Sequence, residues 1–350
     1  MFQNGIKTDR DDLFFAETRA ALESRMRAFF SPNGVKSPFR ATYRVEDSSS
    51  YKILARRSNS SFSSSAIRPC LYRPFDKRWL YYEVGLTSRP AFDVMRHVLD
   101  DPNLVLLACR QQAEVGFRHV FVADSISDHS AVSLTTREIT SAFPLWLAPG
   151  PGTLSLVERT PNFTVHLADA LKRQLGRGHP FTPEHVFGYI YAILHSPHYR
   201  QRHAELLRIG FPRVPFTASR DLFRLLADFG NELVSLHLLQ SSKLRSEGHY
   251  RGPAEPEVEG ISYARNAIWL DQAQSYGFRS VPENVWLFRI GGYQVCHKWL
   301  KDRKGRRLST AEIAHYERII DALDRSCQTM ARIDEAIAAF GGWPAAFAPR

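Results

Sequence analysis

Cysteine is scarce in this sequence, and its few copies are not arranged for metal binding or disulfide pairing. The 350 residues contain four cysteines, Cys70, Cys109, Cys296 and Cys327, which lie far apart and form no C-x-x-C pair. A zinc ribbon or a disulfide framework needs closely or regularly spaced cysteines. We therefore predict buried free thiols, no metal ligands and no structural disulfide.

Long hydrophobic runs are also missing. No apolar segment approaches the roughly 18 residues needed to cross a bilayer, and the first residues lack the hydrophobic core of a signal peptide. We expect a soluble, cytoplasmic protein with no membrane partner. Because 44% of the residues are hydrophobic, the chain can bury a sizeable core, and its length predicts two or three structural units.

The motifs of common catalytic sites are absent. Asp124–His129 places serine, aspartate and histidine together, but no G-x-S-x-G turn accompanies them. His195, His198 and His203 lack the H-E-x-x-H spacing, so we expect surface histidines rather than metal ligands. Gly176–Gly178 lacks the Lys-Ser/Thr pair of a phosphate-binding loop. These patterns predict no catalytic residue on this chain.

Positive charge is abundant, but two segments hold it. The formal net charge is +10; residues 25–78 contain twelve cations and three acids, and residues 298–307 contain six cations and one acid. The rest of the chain is therefore net negative. Local clusters of one sign predict a footprint for a polyanion, either nucleic acid or an anionic membrane surface, and the lack of membrane signals favours nucleic acid.

The segment Leu71–Tyr82 sets cations among aromatic residues inside a strand-like apolar run. Arginine and lysine can neutralise phosphates, and the flat faces of tyrosine and tryptophan can stack on bases, so a nucleic-acid surface is one interpretation. An edge strand with a solvated charged face is the other. The residues of this segment alone leave both open.

Strand-like and helical patterns occur in blocks along the chain. Short β-like runs are expected at Leu71–Tyr82, Leu104–Cys109, His119–Ala123, Pro144–Ala148, Val258–Tyr263 and Val285–Ile290. Helix-start signals are Thr182 before Pro183, Thr217 or Ser219, and the capping box Ser309-x-x-Glu312. The serine-rich residues 48–65 predict a loop.

This order of patterns predicts an α+β fold. We expect a mixed or antiparallel β-rich recognition domain with an inserted helical subdomain and a long C-terminal helix. The predicted units are residues 1–40, 41–150, 151–245 and 246–350, the last completing the β-rich domain.

A series of short motifs covers nearly the whole chain. They are Gly5–Asp12, Tyr72–Asp76, Tyr81–Tyr82, Asn103–Leu104, His119–Val122, Phe143–Leu145, Phe181–Tyr191, Phe211–Phe216 and Phe288–Val295. This set resembles the C-terminal specificity region of Type ISP restriction-modification enzymes, large polypeptides that combine a nuclease, a helicase-like motor, an adenine-N6 methyltransferase and a target recognition domain. The resemblance implies a target recognition domain here, with the tail of the methyltransferase core in residues 1–40.

The chain departs from such enzymes in what it lacks. It contains no Asn/Asp-Pro-Pro-Tyr/Phe segment for a flipped adenine, no glycine loop for S-adenosylmethionine, no PD-(D/E)-x-K nuclease pattern and no P-loop. Methylation and cleavage are therefore expected of segments absent here. We expect no cofactor on this chain, S-adenosylmethionine in the full-length enzyme, and two partners: duplex DNA and a methyltransferase core in cis or as a separate subunit.

The resemblance assigns DNA-binding roles to particular side chains. Phosphate contacts that position DNA are expected of Arg56, Arg57, Arg68, Lys77 and Arg78. Base reading is expected of Arg110, Gln111 and Gln112, because arginine can pair with guanine and glutamine with adenine through two hydrogen bonds, unless this segment is a polar hairpin turn. A second backbone clamp is expected of Lys298, Lys301, Arg303 and Lys304, unless that segment is a solvated loop.

Two points stay open at this stage. Arg73 contacts DNA or forms an internal ion pair with Asp76. The alternative to a recognition module is a self-contained enzyme whose site lies near Cys109 or within Asp124–His129. An Asn-Pro-Pro-Tyr methyltransferase segment directly upstream in the reading frame would decide for the recognition module.

Overall fold

A computed structural model describes residues 1–113, 116–135, 138–150, 158–176, 181–245 and 248–348. The strands are β1 Gln3–Asn4, β2 Phe15–Ala16, β3 Ile67–Arg73, β4 Asp76–Tyr81, β5 Val105–Cys109, β6 Val120–Ala123, β7 Ile126–Ser127, β8 Thr140–Pro144, β9 Trp146–Leu147, β10 Thr160–Pro161, β11 Tyr250–Arg251, β12 Ser262–Ala264, β13 Ala267–Trp269, β14 Gly277–Arg279, β15 Arg289–Ile290 and β16 Tyr293–Gln294.

Helices connect and cover these strands. They are α1 Asp11–Phe14, α2 Arg19–Phe30, α3 Ser37–Tyr43, α4 Ile53–Ser58, α5 Phe92–Met95, α6 Val165–Leu175, α7 Pro183–His195, α8 Pro197–Arg202, α9 Ala204–Ile209, α10 Arg220–His237, α11 Glu283–Trp286, α12 Val295–Lys301 and α13 Thr310–Ala339. Among the described helices, none is both long enough and apolar enough to cross a membrane.

Three four-stranded sheets organise the fold, with strand orders β1-β8-β5-β6, β2-β4-β3-β7 and β11-β14-β13-β12. The pairings are antiparallel except that of β7 with β3. Two-stranded ribbons, β9 with β10 and β15 with β16, complete the set. The predicted α+β fold with antiparallel sheets and a long C-terminal helix is confirmed.

The first sheet lies between two hydrophobic cores. Along β5, Leu107 and Cys109 enter one core while Ala108 enters the other, because successive side chains of a strand point to opposite faces. On β6, Phe121 and Val122 divide in the same way. Burial on both faces explains why these strands appear in the sequence as continuous apolar runs.

The helical part begins at the predicted caps. The side chain of Thr182 accepts a hydrogen bond from the backbone of His185 at the start of α7, and Ser219 caps α10. Ser309 and Glu312 form the expected capping box of α13, which runs for 30 residues. Helices α7 and α10 pack closely where Gly188 faces Gly230.

Several strand predictions need correction. Leu71–Tyr82 is a hairpin that turns between β3 and β4 at Pro74 and Phe75, not one strand. The predicted strand Val285–Ile290 contains the end of helix α11 before β15 begins. Of the predicted strand Val258–Tyr263, only Ser262 and Tyr263 lie in β12. The serine-rich predicted loop contains helix α4.

The proposed boundary at residue 40 does not separate sheets. Strand β1 pairs with β8, and β2 pairs with β4, so residues 1–40 supply edge strands to the part that follows them. A further bridge joins Ile6 to Asp128. The first residues of the chain are therefore integrated into the β-rich part.

Candidate nucleic-acid interface

Residues 25–78 form the first basic cluster and residues 298–307 the second. Two arginines of the first cluster donate hydrogen bonds to backbone carbonyls. Arg56 donates to the Thr87 carbonyl at 2.5 Å. Arg57 donates to the carbonyls of Phe29 at 2.7 Å and Ser31 at 2.8 Å. Both side chains are half-buried. Because a guanidinium has five N–H donors, these bonds leave donors over, but they fix both side chains to the protein.

Arg68 is less tightly held. Its guanidinium is 3.4 Å from the Leu99 carbonyl and 3.4 Å from a carboxylate oxygen of Asp100, and about a third of the side chain is exposed. An ion pair this open to solvent contributes little to stability. Arg68 therefore stays a candidate for phosphate contact.

Arg73 is buried inside the protein. It forms an ion pair with Asp128 at 2.7 Å and lies over the ring of Tyr72 at 3.8 Å. Burial would lower the pKa of Arg73, but the Asp128 carboxylate raises it. The internal ion pair considered from the sequence exists, with Asp128 instead of Asp76, and this position gives Arg73 a structural role.

Asp76 joins the two basic clusters. Its carboxylate, which is 4% exposed, accepts from Arg78 at 2.9 Å and from Arg303 at 3.0 Å. Burial would raise the pKa of Asp76, but the two guanidinium groups lower it. Arg303 is itself buried and also contacts Glu312 at 3.3 Å. The guanidinium of Arg303 therefore lies inside the protein, where DNA does not reach it, and this corrects its predicted role as a phosphate contact.

The rest of the second cluster divides into paired and free cations. Lys298 pairs with Asp302 at 2.5 Å, and Arg78 lies 3.7 Å from the same carboxylate group. The ammonium groups of Lys301 and Lys304 are exposed and form no hydrogen bond or ion pair with the residues described by the structure. Lys301 and Lys304 are thus two members of this cluster that are free to meet a phosphate.

The loop between β5 and β6, residues 110–113 and 116–119 as described, presents the predicted base-reading residues. Arg110 and Gln111 are exposed, and their side chains have no partner among the described residues. Gln112 is buried: its side-chain amide donates to the Leu207 carbonyl at 2.6 Å and its backbone N–H to the Arg208 carbonyl at 3.2 Å. Gln112 anchors the loop on α9, which corrects its predicted role as a base reader.

Arg110 shares a groove with two arginines that were not predicted as DNA contacts. Arg202 and Arg213 line the same groove of about 950 Å³ as Arg110, and the described residues of its lining include no acidic side chain. Aromatic groups from Tyr199, Trp343 and other residues form much of its wall. These arginines lie about 90 residues or more after Arg110 in the chain, so no local pattern could have grouped them.

A sequence profile identifies the family of this chain. The sequence profile of the Type ISP C-terminal specificity domain matches residues 1–332. The chain belongs to this family. No curated protein sequence matches this specificity domain closely enough to count as a relative.

Solved structures share the fold of this specificity domain. A nuclease-deletion mutant of the Type ISP restriction-modification enzyme LlaGI, in complex with a DNA substrate mimic, is 17% identical with a TM-score of 0.67, over 96% of this chain and 33% of that chain. The ATP-dependent Type ISP enzyme LlaBIII bound to DNA is 18% identical with a TM-score of 0.69, over 96% of this chain and 23% of that one.

The DrdV–DNA complex is a third such structure. It is 22% identical with a TM-score of 0.70, over 99% of this chain and 36% of that one. The specificity domain described here therefore spans about a quarter to a third of the length of these solved chains.

The candidate phosphate and base contacts of this specificity domain lie at two separate places. Lys77 pairs with Asp124 at 2.5 Å, directly after the last residue of β6, whereas the β5–β6 loop with Arg110 precedes the first residue of β6. Lys77 and Arg110 are thus at opposite ends of the β5–β6 hairpin. The sequence could not indicate this separation, because it depends on strand direction.

The candidate nucleophiles of the alternative enzymatic sites are buried. Cys109 is buried and donates to the Glu138 carbonyl at 3.1 Å, and burial raises the pKa of its thiol to about 12. A thiol with that pKa does not supply a thiolate at neutral pH. The hydroxyl groups of Ser125 and Ser127 have no hydrogen-bond partner among the described residues, and the Asp128 carboxylate is held by an arginine.

The three histidines considered as metal ligands lie in different environments. His195 is buried, which corrects its expected surface position, and burial lowers its pKa well below the usual value. His198 is exposed and His203 is half-buried. Within the described ranges, no group of three or more histidine, cysteine or acidic side chains could hold a metal ion.

Proposed function

We propose that this chain recognises a specific sequence in duplex DNA and directs adenine-N6 methylation and cleavage by segments that lie outside it. The observation that carries the proposal is the pair Arg110 and Gln111, exposed at the end of a doubly buried sheet and free of internal partners among the described residues. Binding residues on loops held by a rigid scaffold are typical of recognition sites.

The chemistry of this pair suits base reading. A guanidinium can donate two parallel hydrogen bonds to O6 and N7 of guanine, and a glutamine amide can pair with N6 and N7 of adenine. Arg202 and Arg213 line the same groove as Arg110, with no carboxylate among its described lining residues, and they suit phosphates on either side of the bases that are read. Each base contact is worth about 1–3 kcal/mol of discrimination.

Phosphate contacts by other cations would extend the interface. Lys77, Lys301 and Lys304 are exposed enough to release counterions when they meet the DNA backbone. Arg56, Arg57 and Arg78 are tied to carbonyls or carboxylates, and their part in DNA binding stays a prediction.

The catalytic steps belong to a partner under this proposal. Methylation of adenine in a duplex requires the base to be flipped out, and the recognition domain holds the flanking duplex while this happens. Because the Asn/Asp-Pro-Pro-Tyr/Phe segment is absent, we derive no methyl-transfer step and no S-adenosylmethionine site from this chain. A methyltransferase core, in cis or as a separate subunit, would supply both.

The test is selection of duplexes from a random pool by the purified chain, followed by affinity measurements. We expect an enriched sequence motif, salt-dependent affinity and no incorporation of labelled methyl groups. Arg110→Ala and Gln111→Ala should each lower the preference for the enriched duplex about tenfold, whereas Arg173→Ala, at an exposed position on α6, should leave it unchanged. Enrichment of no sequence, or methyl transfer by the chain alone, would refute the proposal.

A further inference from the structure

A buried carboxylate lies directly behind the β5–β6 loop. Glu138 is 3% exposed and belongs to none of the predicted contacts. Its Oε1 accepts the backbone N–H of Ala113 at 2.7 Å. Its Oε2 accepts from His119 Nε2 at 3.0 Å and from the Ser133 hydroxyl at 2.5 Å. One side chain thus binds the loop, the start of β6 and the segment before β8.

The backbone of the same glutamate adds two more contacts. Its carbonyl accepts from the Cys109 thiol at 3.1 Å, and its N–H donates to the Thr135 carbonyl at 2.9 Å. The loop is therefore held to Glu138 at Cys109, at Ala113 and at His119. Arg110 and Gln111 are the exposed residues between the first two of these points.

A second anchor acts on the same short stretch. Gln112 binds the carbonyls of Leu207 and Arg208 on α9, as described above. The two exposed side chains are consequently held between the end of β5 on one side and two buried anchors on the other. A recognition side chain must be held within about half an ångström of its productive position to give specificity.

The electrostatics of Glu138 support a charged, fully bonded carboxylate. Burial would raise the pKa of Glu138, but hydrogen bonds from Ser133 and Ala113 and the neighbouring His119 lower it. Burial lowers the pKa of His119 more than the attraction of this carboxylate raises it, and His119 Nε2 lies 3.0 Å from Glu138 Oε2. A glutamine at position 138 could not accept all three hydrogen bonds, because its amide nitrogen is itself a donor.

We propose that Glu138 is a positioning residue, which fixes the direction in which Arg110 and Gln111 face the base edges. This inference rests on the proposed function, since it assumes that these two side chains read DNA. The proposed function assigns base reading to the exposed Arg110 and Gln111, whereas this inference makes sequence discrimination depend also on a buried carboxylate that does not touch DNA. Loosening the loop removes the preorganisation on which paired hydrogen bonds to a base depend.

The test compares two buried glutamates in the full chain. Glu317, which is 4% exposed, accepts backbone N–H groups of His249 at 2.8 Å and Tyr250 at 2.7 Å, and so holds β11 instead of the β5–β6 loop. Glu317→Gln is therefore the matched control for Glu138→Gln. For each variant we measure affinity for the duplex enriched by the wild-type chain, affinity for a scrambled duplex, and the salt dependence of both.

We expect Glu138→Gln to lose about tenfold in the ratio of enriched to scrambled affinity, with scrambled affinity and salt slope unchanged, while Glu317→Gln keeps the ratio. Should Glu138→Gln fail to fold, Ser133→Ala removes one donor and should lower the ratio in the same direction by a smaller factor. An unchanged ratio in the folded variants, beside a wild type that discriminates, overturns this inference alone. A wild type that enriches no sequence overturns the proposed function, and this inference with it.

Discussion

The carboxylate of Asp76 gives the sharpest test of how the two basic clusters are used. Asp76→Asn keeps the shape of the side chain but removes its charge and replaces one acceptor oxygen by a donor. In the wild type both oxygens are used, one by Arg303 at 3.0 Å and the other by Arg78 at 2.9 Å. The substitution therefore places an amide N–H against a guanidinium inside the protein.

The expected cost follows from the surroundings of the two guanidinium groups. Removing one member of a buried ion pair costs about 3–5 kcal/mol, because the remaining charge is left uncompensated. Arg303 keeps Glu312 at 3.3 Å and the Trp299 carbonyl at 3.1 Å, and Arg78 keeps a more distant carboxylate. We therefore expect a loss near the lower end, about 3 kcal/mol in the free energy of unfolding.

Urea-induced unfolding of both proteins measures this difference, and Asp124→Asn is the matched control. Asp124 pairs with Lys77, whose side chain is 42% exposed, so its loss should cost at most about 1 kcal/mol. If Asp76→Asn costs no more than Asp124→Asn, the buried cluster does not hold the two basic segments together. Arg78 and Arg303 would then have to be reconsidered as DNA contacts.

Three further results are expected. Gly230→Ala should lower the free energy of unfolding by about 1–3 kcal/mol or more, because the added Cβ would lie 1.7 Å from the backbone oxygen of Gly188 on the facing helix. Gly260→Ala, with open space around it, should cost less than about 1 kcal/mol. Equal unfolding midpoints for the two variants would contradict the close packing of α7 against α10. The pKa of Glu312 is lowered from its usual 4.5 to about 2, because the effect of burial is outweighed by hydrogen bonds from Arg306 and from the helix cap Ser309. The stabilisation by Glu312 is therefore complete above about pH 4.5 and disappears as the pH falls towards 2. Urea titrations at several pH values should show that Glu312→Gln loses less unfolding free energy on acidification than the wild type does. The double variant Lys301→Ala, Lys304→Ala should bind the enriched and the scrambled duplex more weakly by the same factor, and the slope of log affinity against log salt should flatten by about 0.9 per lost contact. An unchanged slope would mean that this segment is a solvated loop.

Features that depend on nearby residues could be predicted from the sequence. The caps at Thr182, Ser219 and Ser309 start helices where expected, because a capping side chain bonds to backbone groups two or three residues away. The apolar runs of β5 and β6 were equally visible, since a strand buried on both faces needs no polar alternation. The family resemblance likewise came from short motifs along the chain and is confirmed.

Charge clusters predicted a polyanion surface but not which cations are free to form it. Arg73 and Arg303 belong to those clusters, yet each is buried against a carboxylate that is 55 or 227 residues away in the sequence. Charge counts contain no information on such pairings. The charge count therefore located the basic segments but assigned several buried side chains to the wrong environment.

The sequence by itself determined the helix starts, the buried strands and the family, because each depends on short patterns of residues that are close together in the chain. Tertiary structure alone decided the site. It exposed Arg110 and Gln111, anchored Gln112 and Glu138 behind them, and brought distant arginines to the same groove. These outcomes depend on strand direction and on contacts between residues far apart in the chain, and free energies of burial and pairing become defined only when those residues meet.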